Sequence, residues 1–122
     1  IKDFFEQKLK ELTNAGLPEE NIVLDPGIGF GKTLEHNLTI LGNMKDFLSL
    51  GRPVMAGLSN KSLWQKLLGL GPDQRQNATQ VATALLAEKG VSIHRVHEVD
   101  LTLQTLTIVN ELTRPNKDEA HV

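Results

Sequence analysis

Three short apolar runs, separated by longer segments of helical pattern, are the feature that most limits the fold of this chain. The runs cover residues 22–25, 53–57 and 91–96, and glycine or proline marks most boundaries between segments. The resulting order of elements is αβαβααβα. Because strands connected through helices pair in parallel, this order predicts an α/β fold with a parallel sheet and flanking helices.

About three parallel strands are few for such a sheet, because buried parallel strands need neighbours on both edges. We therefore expect the C-terminal part of a (β/α)8 TIM barrel, a fold that typically needs ~250 residues and carries its sites in the loops after the strands. A doubly wound sheet is the alternative and uses the same loops. The chain has 122 residues and begins at Ile1 already in helical pattern, so we expect it to be truncated.

The helical segments carry apolar residues at helical spacing. The segment that begins after Thr33, its expected N-cap, has one apolar face: Leu34, Leu38, Leu41 and Leu48. A later segment, capped by Asp73 and closed by Gly90, is expected to turn the following residues inward: Ala78, Val81, Ala82, Leu85 and Leu86. The last helix is expected to be capped by Asp100, and residues 114–122 after it form a tail.

Composition excludes several classes of function. The net charge is −2, so the chain has no basic field that would attract nucleic acid. It has no cysteine, which excludes disulfides and thiolate metal sites and suits a cytoplasmic protein. No apolar run approaches the roughly 18 residues that a membrane helix needs. Because the net charge provides no basic field, any anion must be held by a local site.

The first apolar run ends at Asp25 and opens into a glycine-rich loop, residues 25–32, with the sequence DPGIGFGK. Glycines permit positive φ and a close approach of the backbone to a ligand. The Asp25 carboxylate can accept two parallel hydrogen bonds from a flat ring; alternatively it caps its own loop at the Gly27 or Ile28 N–H. Phe30 can stack on a ring or plug the underside of the loop, and taken alone it favours the plug.

The second run leads into residues 57–62, in which Gly57 precedes Lys61 and Ser62 at the start of a helix. Helix N-termini attract anions and carboxylates, whereas a lysine there is mildly unfavourable unless it serves a function. The alternative is a solvated surface lysine with Ser59 as the N-cap.

The third run ends with Arg95 and His97, which lie two residues apart on an extended segment and therefore point to one face. An arginine fork and a histidine donor can converge there on one phosphate. The alternative is a surface pair between Arg95 and Glu98 with a solvated His97. His94 points the opposite way and is interpreted as a packed or half-exposed histidine.

Together, residues 25–32, the segment Ser59-Asn60-Lys61-Ser62 and the segment Arg95-Val96-His97 resemble the loops after strands six, seven and eight of dihydropteroate synthase. The resemblance covers residues 1–113, nearly the whole chain, but only the C-terminal half of the family's pterin-binding barrel. It implies a transferase of folate biosynthesis that joins 6-hydroxymethyl-7,8-dihydropterin diphosphate to 4-aminobenzoate, giving 7,8-dihydropteroate and diphosphate. The truncated chain alone is expected to be inactive.

The resemblance also implies roles for the site residues. Those that would bind the pterin are Asp25, Phe30, Gly57, Lys61 and Arg95. Arg95 and His97 would hold the phosphate, and Ser62 would meet the aminobenzoate carboxylate. No catalytic nucleophile and no metal ligand are expected here, since the family's Mg²⁺ would be held by loops of the missing N-terminal half. One departure is Asn60, which stands beside the aminobenzoate site where the family commonly has arginine.

The resemblance further implies a cytoplasmic homodimer, formed through the C-terminal helices, and a sulfonamide target. Two other interpretations stay open. A pterin-binding methyltransferase domain would share the barrel but would not need the anion pair of Arg95 and His97. A non-catalytic half-barrel would bind pterin or phosphate, or only assemble with another chain.

Overall fold

The sheet is parallel, as the order of elements predicts. The computed structural model describes residues 1–29, 32–58 and 62–113. In it, strand β1 (Met55–Ala56) pairs in parallel with strand β2 (Ile93–His94), Met55 lying opposite Ile93 and Ala56 opposite His94. The crossover between these strands is helical, which confirms the α/β class. The assignment to the C-terminal half of a barrel stays a prediction.

The first predicted strand contributes only a parallel bridge between Leu24 and Val54. Leu24 N–H donates to the Pro53 carbonyl at 2.9 Å, and Met55 N–H donates to the Leu24 carbonyl at 2.8 Å. The three predicted strands therefore lie side by side, with β1 in the middle, and all three run in the same direction.

Helices occupy the segments between the strands in the predicted order. They are α1 (Lys2–Asn14), α2 (Leu34–Gly42), α3 (Met44–Leu48), α4 (Leu63–Leu68), α5 (Gln76–Lys89) and α6 (Val99–Thr113), with turns of 3₁₀ helix at Glu19–Asn21 and Pro72–Gln74. Helix α5 packs against α6. Part of this seam is polar, because Gln80 Nε2 donates to Thr102 Oγ1 at 3.1 Å and Thr105 Oγ1 donates to Gln80 Oε1 at 2.5 Å.

The predicted helix boundaries are partly right. Thr33 caps α2, its hydroxyl accepting a first-turn backbone N–H at 3.1 Å, and Gly90 ends α5 with φ +112°. Asp73 was wrongly predicted as a cap: it lies in the preceding 3₁₀ turn, and Arg75 holds the N-cap position of α5. Asp100 lies inside the first turn of α6 rather than before it, where a carboxylate still interacts favourably with the helix dipole.

The hydrophobic core combines residues from the strand segments with residues from α1 to α5. Its buried members are Phe5, Ile22, Leu24, Ile28, Ile40, Met44, Phe47, Val54, Ala56, Leu58, Leu63, Trp64, Ala78, Leu86 and Val91. Met44 and Val54 have no exposed surface at all. Trp64 is 5% exposed and belongs to this core, so it packs α4 onto neighbouring elements.

The predicted inner faces of two helices are partly right. In α5, Ala78 and Leu86 are buried and Ala82 packs against the core, as predicted. Val81 and Leu85 are instead 53% and 54% exposed, while Thr79 and Thr83 are buried. In α2, Leu38 is 38% exposed. Polar side chains can occupy the inner face because they hydrogen-bond inside the fold, as Thr79 Oγ1 does to the Leu58 carbonyl at 3.4 Å.

Candidate functional site

The parallel sheet brings three of the predicted site residues together at the carboxyl ends of its strands: Asp25, Gly57 and Arg95. We call them the strand-end cluster. Arg95 N–H donates to the Ala56 carbonyl at 3.0 Å, so the chain is still tied to β1 where it leaves β2. From there the Arg95 side chain crosses Gly57 and reaches Asp25, with Nη1 lying 3.4 Å from Oδ2. Residues 70 positions apart in sequence thus meet at one rim.

Gly57 is the floor of this cluster. A Cβ atom built at Gly57 would lie 2.7 Å from Arg95 Nη2 and 3.1 Å from both Cζ and Nε, closer than side-chain atoms normally approach. Gly57 is buried, and its φ is outside the left-handed region. It is therefore needed here for close approach, since its lack of a side chain lets the guanidinium lie over the backbone.

The two carboxylate oxygens of Asp25 have different partners. Oδ1 accepts the Gly27 N–H at 2.9 Å, which is the loop cap considered as the alternative role for Asp25. Oδ2 faces the Arg95 guanidinium. The side chain retains 30% of its exposure, so lone pairs remain available to a ligand. Loop capping and ligand binding are therefore compatible roles for the same carboxylate.

Two residues that hold the glycine-rich loop were missed by sequence reasoning. Asn37 of α2 accepts the Gly29 N–H through Oδ1 at 3.0 Å, and Lys32 Nζ donates to the Gly27 carbonyl at 3.0 Å. Lys32 was recognised only as the last residue of the loop pattern. Asn37 interrupts an apolar helix face and is 3% exposed, and such an interruption is the signal that could have identified it.

The loop after β1 starts from a well-anchored residue. Leu58 is 2% exposed, and its carbonyl accepts hydrogen bonds from Trp64 Nε1 at 3.2 Å and from Thr79 Oγ1 at 3.4 Å. Ser62 is exposed at the N-cap position of α4, as its proposed contact with a ligand requires. Lys61 and Phe30 lie outside the described residues, as do Ser59 and Asn60.

At the third strand end, Arg95 pairs with Asp25 rather than with Glu98, so the predicted alternative of a surface pair with Glu98 is wrong. The Arg95 side chain is 50% exposed, and His97 is also exposed. Both side chains are therefore accessible to a ligand. His94 is half-buried, as expected, with Nε2 3.1 Å from the Val91 carbonyl. Burial lowers the pKa of His94, and the hydrogen bond to Val91 opposes this effect.

The strand-end cluster combines a carboxylate acceptor with a planar cation, which together suit a flat, polar heterocycle that carries a negative group. Within residues 1–29, 32–58 and 62–113, no three His, Cys, Asp or Glu side chains are grouped so that they could hold a metal ion. No helix in the described part of the chain is long and apolar enough to cross a membrane.

Comparison with known proteins shows the family of the chain. Residues 1–97 match the family described as pterin binding enzyme. The dihydropteroate synthase of Escherichia coli K12 is 33% identical over 109 residues, a match that covers 89% of this chain and 39% of that enzyme. The chain therefore spans about two fifths of the length of this curated relative.

Solved structures of the same enzyme superpose closely on the chain. The dihydropteroate synthase of Anaplasma phagocytophilum, crystallised with 6-hydroxymethylpterin-monophosphate, is 34% identical with a TM-score of 0.85, and the match covers 91% of this chain and 43% of the other. The Yersinia pestis enzyme, solved with a sulfonamide drug complex, is 33% identical with a TM-score of 0.85, covering 90% of this chain and 40% of the other. The chain therefore belongs to the pterin binding enzyme family, and these relatives within it are dihydropteroate synthases.

Proposed function

We propose that this chain is the C-terminal part of a dihydropteroate synthase barrel, comprising strands six to eight, and that it supplies the pterin and phosphate subsites. The whole enzyme would condense 6-hydroxymethyl-7,8-dihydropterin diphosphate with 4-aminobenzoate in the cytoplasm. The observation that carries the proposal is the contact of Asp25 and Arg95 across Gly57. It supports a site for a flat heterocycle beside a site for an anion.

In this proposal Asp25 accepts hydrogen bonds from the amino-pyrimidinone edge of the pterin through Oδ2, while Oδ1 keeps its bond to Gly27. Arg95 lies against the ring, over Gly57, where a planar guanidinium can stack. Phe30 and Lys61 complete the pterin subsite from the loops after the first two strands. A ring held on several sides in this way is fixed in orientation before the reaction begins.

Arg95 and His97 hold the diphosphate that leaves. In the reaction the carbon–oxygen bond to diphosphate breaks and diphosphate takes the bonding electrons. The amine of 4-aminobenzoate forms the new carbon–nitrogen bond and loses one proton to water or to the departing diphosphate. Negative charge therefore grows on the leaving group, and a fixed guanidinium stabilises that charge more strongly in the transition state than in the ground state. No protein nucleophile is needed for this step.

Ser62 would meet the aminobenzoate carboxylate at the start of α4. Sulfonamides carry an arylamine like that of 4-aminobenzoate, and a relative from Yersinia pestis was solved with such a drug. We expect the Mg²⁺ of the whole enzyme to be held by loops of the N-terminal half of the barrel, as the resemblance implies.

The whole enzyme would also be a homodimer. The outer faces of α5 and α6 expose large apolar side chains: Val81, Leu85, Leu103, Ile108 and Leu112. Apolar surface of this extent favours a protein partner, and a second copy that contributes the same two helices would cover both sets at once.

Calorimetric titration of the chain with 6-hydroxymethylpterin and with diphosphate tests the proposal. Asp25→Asn should weaken pterin binding, and Arg95→Ala should weaken the binding of both ligands, each about tenfold or more, because each removes a charged hydrogen-bonding partner. The matched controls Asp46→Asn and Lys45→Ala alter exposed charges on α3 and should bind like the wild type. Equal pterin affinity in all five proteins would contradict the proposal.

If the wild-type chain binds neither ligand, the titration is repeated on a chimera. In it, residues 1–113 replace the matching part of the Escherichia coli enzyme, so that the remaining strands close the barrel. We expect binding and pteroate formation by the chimera and no turnover by the 122-residue chain alone. A folded chimera that binds no pterin would reject the proposed subsites.

A further inference from the structure

The glycine-rich loop is attached to α2 by one buried side chain. Asn37 lies eight residues after Gly29 and accepts its N–H through Oδ1 at 3.0 Å. Only 3% of Asn37 is exposed, although it sits in the second turn of a helix. A helix residue therefore fixes the backbone near the tip of a loop that precedes the helix.

The setting of Asn37 makes packing a poor explanation for it. Ile40, three residues further along α2, is 6% exposed, and Met44, the first residue of α3, is 0% exposed, so the buried residues that follow Asn37 are apolar. A buried amide costs free energy unless it is hydrogen-bonded, and asparagine is a weak helix former. Leucine has the same number and branching of side-chain heavy atoms and would be favoured on both counts. The bond to Gly29 is what the asparagine provides.

Gly29 adopts φ +86°, a left-handed conformation that turns its N–H toward α2. The preceding glycine of the loop, Gly27, is held as well, with its N–H bonded to Asp25 Oδ1 at 2.9 Å and its carbonyl bonded to Lys32 Nζ at 3.0 Å. The orientation of the Asp25 carboxylate thus depends on the loop conformation. A change at Gly29 would be transmitted through the two-residue step to Gly27 and from there to Asp25.

We infer that Asn37 is a positioning residue for the loop and, resting on the proposed function, for the recognition of the pterin ring. It does not touch the ligand. It holds Gly29 so that the Asp25 carboxylate keeps Oδ2 on the side of Arg95. The N–H and NH₂ groups of a flat heterocycle would bind there. The loop is then ordered before the ligand binds, so binding does not have to supply the free energy of ordering it.

The test compares three variants by NMR and calorimetry. Asn37→Leu removes the acceptor while keeping the number and branching of the side-chain heavy atoms. Asn37→Asp keeps an oxygen at the position of Oδ1 and serves as the rescue variant. Ile40→Val shortens a neighbouring buried side chain on the same helix face and serves as the control for destabilisation. The two readouts are the hydrogen-exchange rate of the Gly29 amide, compared with amides inside α2, and the affinity for 6-hydroxymethylpterin.

We expect Asn37→Leu to raise the Gly29 exchange rate at least tenfold while the α2 amides keep theirs, and to weaken pterin binding at least tenfold. Asn37→Asp can still accept the Gly29 N–H but buries a carboxyl group, so both values should fall between those of Asn37→Leu and the wild type. Ile40→Val should leave both near the wild type. Wild-type exchange at Gly29 in Asn37→Leu, or an equal loss of affinity in Ile40→Val, would overturn the inference. If the wild-type chain binds no pterin, the affinities are compared in the chimera, and a folded chimera that binds no pterin would count against the proposed function. The exchange measurement at Gly29 is decided without ligand.

Discussion

The strand-end cluster and the core beneath it lie close together in the fold but are built in opposite ways. In the cluster, Arg95 and Asp25 are 50% and 30% exposed and interact at 3.4 Å. In the core, Met44 and Val54 are fully buried. A partly exposed ion pair contributes roughly 0–1 kcal/mol to stability, whereas a fully buried apolar side chain contributes several. The cluster therefore keeps charges available to a ligand, and the core carries the free energy that holds them in place.

This difference predicts that substitutions will separate by region. Changes in the core should reduce the free energy of unfolding and leave the affinity of the folded protein for ligands nearly unchanged. Changes in the strand-end cluster should reduce affinity and leave the free energy of unfolding nearly unchanged. A substitution that lowers both equally would show that the two regions are coupled.

The largest effect on stability is expected at Met44. Met44→Ala should lower the free energy of unfolding by about 2–5 kcal/mol, because it removes a side chain with no exposed surface and leaves a cavity. Met44→Leu keeps the volume and should cost less than about 1.5 kcal/mol. Urea unfolding followed by circular dichroism measures both. A loss below about 1 kcal/mol in Met44→Ala would mean that the core around α3 collapses into the space.

The second-largest effect, a loss of ligand affinity, is expected at Arg95. Arg95→Ala should weaken diphosphate binding about ten- to hundredfold, since a charge-assisted hydrogen bond contributes about 1.5–3 kcal/mol. Its free energy of unfolding should change by less than about 1 kcal/mol, because the pair with Asp25 is half exposed. Arg95→Lys keeps the charge and loses the planar fork, so its affinity for diphosphate should lie between those of the wild type and Arg95→Ala. Calorimetry and urea unfolding of the same samples test both statements. Equal losses of affinity and stability would contradict them.

A smaller effect is expected at Gly57. The new Cβ of Gly57→Ala would displace the Arg95 guanidinium, from which it would lie only 2.7 Å. The displaced group is the end of a flexible, half-exposed side chain, so the fold should absorb the change at a cost below about 1 kcal/mol. Affinity for the pterin should fall about fivefold, because Arg95 no longer lies over the backbone.

The matched control for Gly57 is Gly42→Ala. Gly42 is at the end of α2, and a Cβ there would meet no atom within 4 Å. Neither the pterin affinity nor the position of the Arg95 side chain should therefore change. Unchanged pterin affinity in Gly57→Ala would show that the position of Arg95 over Gly57 is not needed for binding.

The contrast between core and cluster also explains what the sequence could predict. The parallel order of strands followed from the alternation of segments, and parallel strands place Asp25, Gly57 and Arg95 at one rim whatever their exact ends. The contact between Asp25 and Arg95 spans 70 positions and depends on the absence of a side chain at Gly57, which no local pattern reports. The rim was therefore predictable, and its pairwise geometry was not.

Helix faces were less predictable for a related reason. In α5 the apolar pattern favoured Val81 and Leu85 as buried residues, but the fold buries Thr79 and Thr83. A periodic pattern cannot distinguish an apolar face that packs in the core from one that faces another protein surface. In α2, likewise, Asn37 is buried because it serves the loop. Hydrogen bonds between elements decide such positions, and they exist only once the elements are assembled.

The smallest effect is expected from His94, which belongs to neither region fully. It is half-buried beside Val91, and burial lowers its pKa below the ordinary value of 6.5. The unfolded chain therefore takes up a proton near pH 6.5 that the folded chain still excludes, so His94 stabilises the fold above that pH. This contribution should be lost progressively as pH falls from 6.5 through the lower pKa of the folded state.

Urea unfolding at pH 7.5 and 5.5 should show a smaller loss of stability in His94→Gln than in the wild type, because glutamine does not titrate. An identical loss in both proteins would assign the pH dependence to other groups. Pterin affinity measured at the same two pH values should be the same in the variant and the wild type, since His94 Nε2 lies 3.1 Å from the Val91 carbonyl and no role in the strand-end cluster is proposed for it.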